Sequence, residues 1–198
     1  MRELRELCKA LEAYKLQQTQ IKCQLESASS LQVIKSWRSM LKYISKEMNL
    51  LEEKIDNLCD DDAELRQHYN NLQTIPGIGK TTAIALLSYI PDLTYFKNAR
   101  QLAAYAGLVP KHRISGTSIR GKSRLSKQGS SRLRRALFFP AIVASRCNPI
   151  LLAFCNNLNR AKKAKMTIIG AVMRKMLHIV FGIIKHRTAF NPLHLSTN

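Results

Sequence analysis

The residues with the most chemical potential lie between 108 and 129. This stretch carries Lys111, His112, Arg113, Arg120, Lys122, Arg124 and Lys127, the glycines Gly116, Gly121 and Gly129, and the serines Ser115, Ser118, Ser123 and Ser126. A serine hydroxyl among guanidinium groups has what attack on a phosphodiester requires. The cations lower the hydroxyl pKa and neutralise charge building on the phosphoryl oxygens. Ser115-Gly116 is such a step, although Ser-Gly pairs are also ordinary turn residues. The alternation in Arg113-Ile114-Ser115 and Ser118-Ile119-Arg120 allows a small β-hairpin about Gly116-Thr117; a basic loop is the other reading.

A second motif is Ile75-Pro76-Gly77-Ile78-Gly79-Lys80-Thr81-Thr82-Ala83. Its Gly-Lys-Thr resembles the end of a P-loop, but position 74 is threonine where a P-loop has glycine, and a helical pattern precedes it instead of a strand. Nucleotide binding is excluded on those grounds. The remaining reading is a helix-hairpin-helix turn. Pro76 stops one helix, Gly77 and Gly79 allow a tight turn and close approach of a ligand, and a second helix starts near Lys80. The free N–H groups of its first turn suit a phosphate oxygen, a contact indifferent to base sequence. The bland reading is a plain helix–helix connection.

Charge narrows the chemistry further. The 198 residues include 32 Lys+Arg and 13 Asp+Glu, a formal net charge of +19. Residues 1–64 hold 10 basic and 12 acidic residues, whereas residues 65–198 hold 22 basic residues and one acid, Asp92. The excess therefore belongs to the later part and points to a polyanion, with nucleic acid the default partner. Two-metal hydrolysis and glycoside hydrolysis each need a pair of placed carboxylates, which residues 65–198 cannot supply. Cys8, Cys23, Cys59, Cys147 and Cys155 are odd in number and form no C-x-x-C, so reduced thiols are expected rather than a disulfide framework or a metal site. No uninterrupted apolar run nears 18 residues and no signal segment opens the chain, so a cytoplasmic protein without a membrane partner is expected.

The elements that must position these motifs are helical. Leu4, Leu7, Leu11, Tyr14, Gln18, Ile21 and Leu25 follow a heptad seam. After a Ser-rich break, Leu31, Ile34, Arg38, Leu41, Ile44, Met48, Leu51, Ile55 and Leu58 follow another. The fold expected is mainly α: an N-terminal coiled-coil hairpin over residues 1–59, then a small helical domain over 60–187, then a loose tail over 188–198. The coiled coil is expected to form a homo-oligomer, because a lone two-helix hairpin is marginal; an ordinary helical arm is the other reading. Helices are expected over residues 60–73, 98–106, 130–145, 149–158 and 166–185. Ile169, Val172, Met173, Met176, Leu177, Val180 and Ile184 form a core stripe on the last. His178 on that helix reads as a satisfied core or boundary histidine. The nucleic-acid contacts expected are Gly77, Gly79, Lys80, Lys111, Arg113, Arg120, Lys122, Arg124, Lys127, Arg134 and Arg135; no metal ligands are expected.

A series of blocks runs Leu72-Gln73-Thr74-Ile75-Pro76-Gly77-Ile78-Gly79, Phe96, Leu102-Ala103-Ala104-Tyr105-Ala106-Gly107-Leu108-Val109-Pro110, Ser115-Gly116, Leu125-Ser126-Lys127-Gln128-Gly129, Leu133-Arg134-Arg135-Ala136-Leu137 and Gly170-Ala171-Val172-Met173-Arg174-Lys175. In this order and spacing it resembles the C-terminal domain of insertion-sequence transposases of the "IS-one-ten" group, the bridge-RNA-guided recombinases. The match runs from about residue 60 to 185, and the heptad region resembles that family's coiled-coil linker. The resemblance implies DNA binding, transposition and recombination, with Ser115 at the position of a serine nucleophile that forms a phosphoserine with DNA and frees a 3′-hydroxyl. It also implies a structured guide RNA as partner and a place at the nucleoid. Family members carry an N-terminal RuvC-like domain whose four acidic residues bind magnesium, and no such block occurs here. The expectation is a truncated half, inactive alone, with Mg²⁺ used only alongside a RuvC-like domain. The alternative is a non-catalytic helix-hairpin-helix module that binds nucleic acid.

Overall fold

A computed structural model describes residues 2–115 and 119–193, with the backbone alone over residues 112–115 and 119–124. The chain is mainly helical, and its contacts divide it into two compact units, Met1–Arg66 and Gln67–Asn198. The elements run α1 (Arg2–Ser27), α2 (Leu31–Asp61), α3 (Ala63–Gln73), α4 (Lys80–Tyr89), a 3₁₀ turn (Leu93–Tyr95), α5 (Ala99–Tyr105), β1 (Pro110–Ser115), β2 (Ile119–Leu125), α6 (Ser131–Cys147), α7 (Pro149–Arg160) and α8 (Lys165–His186).

In the first unit α1 and α2 lie antiparallel. Gln18 Nε2 donates to Ser45 Oγ at 3.2 Å, and Lys15 Nζ sits 3.4 Å from Glu52 Oε1. Leu4, Cys8, Leu11 and Ile21 of α1 and Ile44, Ile55 and Cys59 of α2 are buried. The heptad positions are buried unevenly: Leu31 is exposed, as is Arg38, while Cys8 and Cys59, off both seams, are buried. The ion pairs Arg2–Glu6, Lys15–Glu52 and Arg66–Asp60 are all exposed and contribute little stability. The second helical run extends further than its apolar seam, since Asp60 and Asp61 belong to α2. Only Asp62 breaks the helix, and its Oδ1 accepts from the N–H groups of Glu64 and Leu65 to start α3.

In the second unit α8 is the core helix. Ile168, Val172, Met173, Met176, Leu177, Ile179, Val180, Phe181 and Ile183 are buried, and α5, α6 and α7 pack on it. Burial wraps more of α8 than a single stripe: Ile168, Ile179, Phe181 and Ile183 join the expected positions, whereas Ile169 and Ile184 are only half-buried. By length and composition α8 would cross a membrane, but 56% of its apolar window is buried within the protein, as in any core helix. Helix α4 is polar only in its first turn and at Ser88, and six of its ten residues are buried, including Leu86 and Leu87. Asn148 ends α6 and starts α7, its Oδ1 accepting from the N–H groups of Ile150 and Leu151, with Pro149 at the first helical position. These two helices meet at 89°. Pro140 sits inside α6 without ending it.

A hydrogen bond ties the tail to the α3–α4 turn. The Phe190 N–H donates to Thr74 Oγ1 at 2.7 Å, so residues 188–193 are not wholly loose. Residues 194–198 lie outside the described residues.

Candidate nucleic-acid interface

Two places on the second unit gather the expected site residues, and α6 carries both. The first is the turn between α3 and α4. Thr74 and Ile75 close the end of α3, their N–H groups donating to Asn71 and Leu72 carbonyls, and the Ile78 N–H donates to the Ile75 carbonyl. Gly77 has φ +99°, a left-handed backbone that favours glycine. Here the chain lies flush on α6: a β-carbon at Gly77 would stand 2.6 Å from Ala144 Cβ. Gly79 differs. It is the N-cap of α4 at φ −96°, and a β-carbon there would meet nothing within 4 Å. The Ala83 N–H donates to the Gly79 carbonyl. The amides of Lys80, Thr81 and Thr82 precede the first helical bond, and the positive end of α4 lies beside them. Thus one glycine shapes the turn and the other leaves its mouth open.

The second place is the root of a two-stranded antiparallel sheet. Strands β1 and β2 pair Pro110 with Leu125, Lys111 with Arg124, Arg113 with Gly121, Ile114 with Arg120 and Ser115 with Ile119, with an irregularity between Lys111 and Arg113. A hairpin thus replaces the open loop, and position 115 falls at the last pair of its ladder. The backbone bearing Arg113, Ser115, Arg120, Lys122 and Arg124 is placed in these strands, while their side chains lie outside the described residues.

Below the strands the chain is locked by main-chain bonds. Ser126 N–H donates to the Val109 carbonyl, Lys127 N–H to that of Gly107, and Ser130 N–H to that of Tyr105. Arg134 reaches in from α6, its Nη1 donating to the Ala106 carbonyl at 2.9 Å and lying 3.4 Å from those of Gly129 and Ser130. Gly107 and Gly129 both have positive φ, and a β-carbon on Gly129 would collide with the Tyr105 carbonyl oxygen. Leu125 ends β2 against α8, where a β-carbon on Gly170 would stand 2.9 Å from Leu125 Cδ1.

Of the remaining expected contacts, Lys80, Lys111, Lys127 and Arg135 are exposed. Arg134 has a different job: its guanidinium ties the hairpin root to α6. Sequence reasoning missed this clamp and the close packing at Gly107 and Gly129; the two glycines flanking the basic stretch were the available signal. Gly77 and Arg134 engage α6 ten residues apart, so the turn and the hairpin root meet that helix about 15 Å apart along its axis. They are two places on one unit rather than one pocket.

No group of three or more His, Cys, Asp or Glu among the described residues could hold a metal ion. Asp92, the one acid of this unit, caps the 3₁₀ turn, and hydrogen bonds from Thr94 hold its carboxyl below the ordinary range. The residues present therefore do not fit a magnesium site. Cys155 is a free thiol whose pKa burial raises, which disfavours its thiolate form.

Residues 69–156 match the transposase domain described as the IS116/IS110/IS902 family. That segment holds the turn, the hairpin and all of α6. Similar proteins include the pilin gene-inverting protein of Moraxella lacunata, 38% identical over 152 residues covering 76% of this chain and 47% of the relative. An uncharacterized 43.6 kDa protein of the insertion element IS110 from Streptomyces coelicolor is 28% identical, covering 80% of this chain and 38% of its own length. A probable family 20 transposase of Pseudomonas aeruginosa is 26% identical, covering 77% and 47%. The chain spans about half the length, or less, of these curated relatives.

Proposed function

We propose that this chain belongs to the same transposase family and acts on DNA in transposition or inversion, with Ser115 as nucleophile. The observation that carries the reading is the 38% identity to a pilin gene-inverting protein across the segment that builds the turn and the hairpin. Two features of the molecule support it. Residues 67–198 carry 21 basic residues against Asp92 alone. The strands bring the backbone of Arg113, Ser115 and Arg120 together at the end of a ladder rooted firmly in the core.

In this reading Ser115 Oγ forms a bond to a DNA phosphorus as the bond from phosphorus to the 3′ oxygen breaks. The departing oxygen takes up a proton, leaving a phosphoserine and a free 3′-hydroxyl. Attack by a 3′-hydroxyl on the phosphoserine reverses the step and joins strands. Arg113, Arg120 and Lys122 lie close enough in the chain to neutralise the phosphoryl oxygens. The α3–α4 turn is a helix-hairpin-helix contact that grips the DNA backbone through the amides after Gly79. The antiparallel arm is a coiled coil that pairs with a second copy, and Leu16, Met40, Tyr43 and Leu50 are exposed on it. Magnesium has no ligand set among the described residues and enters no step here; its carboxylates belong to a RuvC-like domain outside these 198 residues. A structured guide RNA is a further partner, and the site of action is the nucleoid in the cytoplasm.

The test is covalent capture on a nicked suicide DNA substrate in the presence of a RuvC-like domain from a related transposase. Wild type is expected to leave a protein–DNA adduct that resists denaturation, and Ser115→Ala none. An adduct of equal yield from Ser115→Ala removes Ser115 from the role. That no group of the described residues could hold a metal ion favours a second reading, a non-catalytic nucleic-acid-binding module. In that case neither protein forms an adduct, and both bind DNA equally.

A further inference from the structure

Helix α6 has two sides of opposite character. Leu133, Leu137, Ala141 and Ala144 are buried on one. On the other stand Arg132, Arg135, Phe139, Val143 and Arg146, at spacings of three and four that place them within one narrow arc of the helix. All five are exposed. Phe139 is 72% and Val143 53% accessible, so the middle of a basic stripe is apolar and open. The Phe139 ring is braced: its centroid lies 5.3 Å from that of Phe138, with the two planes at 79°.

We propose that this face of α6 binds an unpaired DNA strand, with Phe139 as the platform on which a base stacks and Arg132, Arg135 and Arg146 as phosphate contacts. The inference rests on the DNA reading above and adds to it a strand-opened substrate. Charge complementarity selects the occupant. The apolar centre lies between cations on both sides, and the unit has no acid besides the capped Asp92 to attract a basic partner. An unpaired strand offers what this pattern takes, an aromatic base face flanked by phosphates. A duplex keeps its bases stacked on each other and leaves Phe139 without a counterpart. From Arg132 to Arg146 the stripe spans about 21 Å, enough for several nucleotides.

Fluorescence anisotropy on the full chain tests the proposal with three probes of equal length, about 15 nucleotides: oligo-dT, oligo-U and a mixed-sequence duplex. Phe139→Ala is expected to weaken oligo-dT binding about five- to a hundredfold and leave duplex binding unchanged. Phe139→Trp should keep the affinity and Phe139→Leu should lose it, with circular dichroism showing the same helicity in every variant. The proposal is overturned if Phe139→Ala leaves oligo-dT binding intact, if Phe139→Leu matches wild type, or if oligo-U binds more tightly than oligo-dT. It is equally overturned if sedimentation reveals a dimer that Phe139→Ala dissociates, which would make a second copy the occupant. Retained duplex binding alongside a silent Phe139 sinks this inference and spares the DNA reading. Wild-type protein that binds no probe at low salt sinks both.

Discussion

Gly77 fits against Ala144 with no room between them: a β-carbon at position 77 would stand 2.6 Å from Ala144 Cβ and 2.9 Å from Ala144 Cα. This contact joins the α3–α4 turn to the buried face of α6. It also separates the two glycines of the turn by function. Gly77→Ala combines left-handed strain with overpacking against backbone, and is expected to cost about 2–4 kcal/mol in chemical denaturation. Gly79→Ala meets open space at an ordinary φ and should cost no more than about 1 kcal/mol. Its effect, in the proposed function, falls on DNA affinity. A Gly79→Ala protein as unstable as Gly77→Ala would show that the mouth of the turn is packed.

Arg134 and Arg135 are neighbours with unlike roles, and mutation should separate them. Arg134→Met removes the donor to the Ala106 carbonyl and is expected to destabilise the protein by about 1–3 kcal/mol, measured by urea unfolding. Arg135→Met removes an exposed charge. It should shift stability by less than about 0.5 kcal/mol while weakening DNA binding. Equal stability of the two variants would remove the clamp from the account.

His178 makes the second unit sensitive to acid. It is not the satisfied histidine expected: its Nε2 is buried without a hydrogen-bond partner. Burial, then the charges of Arg174, Lys175 and Arg100, holds its pKa below the ordinary value. The unfolded chain takes the proton first, at about pH 6.5. The stability from a neutral His178 is therefore complete above that pH and is lost as pH falls towards the depressed folded value. Thermal melts should show Tm falling as pH drops from about 7 to about 5. His178→Phe should flatten that decline, and an identical slope in both proteins would assign it to other groups.

DNA affinity should fall steeply with salt. If the proposed contacts neutralise about six phosphates, the logarithm of the association constant falls with a slope of about −5 against the logarithm of salt concentration. Removing Lys111 or Lys127 should each lower the slope by about one. A flat salt response in filter binding would count against any phosphate-tracking surface.

Much of the architecture was legible because its punctuation is chemical and local. Pro76, Asn98, Gly107 and the Asn148-Pro149 step each mark a helix end by a property of one residue: a missing N–H, a capping oxygen, a left-handed φ. The alternation about Gly116-Thr117 marked the strands in the same way. The root of the hairpin was not legible. Its bonds join residues 105–109 to 126–130, and no local pattern states which carbonyl an arginine 28 positions away will reach, as Arg134 does for Ala106. The arm misled in detail for a related reason. A strict heptad template assigns Arg38 to the seam and Cys8 outside it, yet packing buries the small thiol and leaves the long cation in water. For the serine, a basic surround made attack on phosphate chemically reasonable, but within residues 108–129 only the Ser-Gly step separates Ser115 from the other three serines, and such steps are ordinary turn residues.

The cap on Asp92 has an electrostatic consequence. Residues 67–198 hold 21 basic residues against Asp92 alone, whose carboxylate caps the 3₁₀ turn, so the folded unit holds its own charges together against mutual repulsion. Dissolved salt screens that repulsion, so added salt should make this unit harder to unfold while making it a poorer ligand for DNA. Bound polyanion would do the work of the missing carboxylates, and the protein should be most robust when it is occupied.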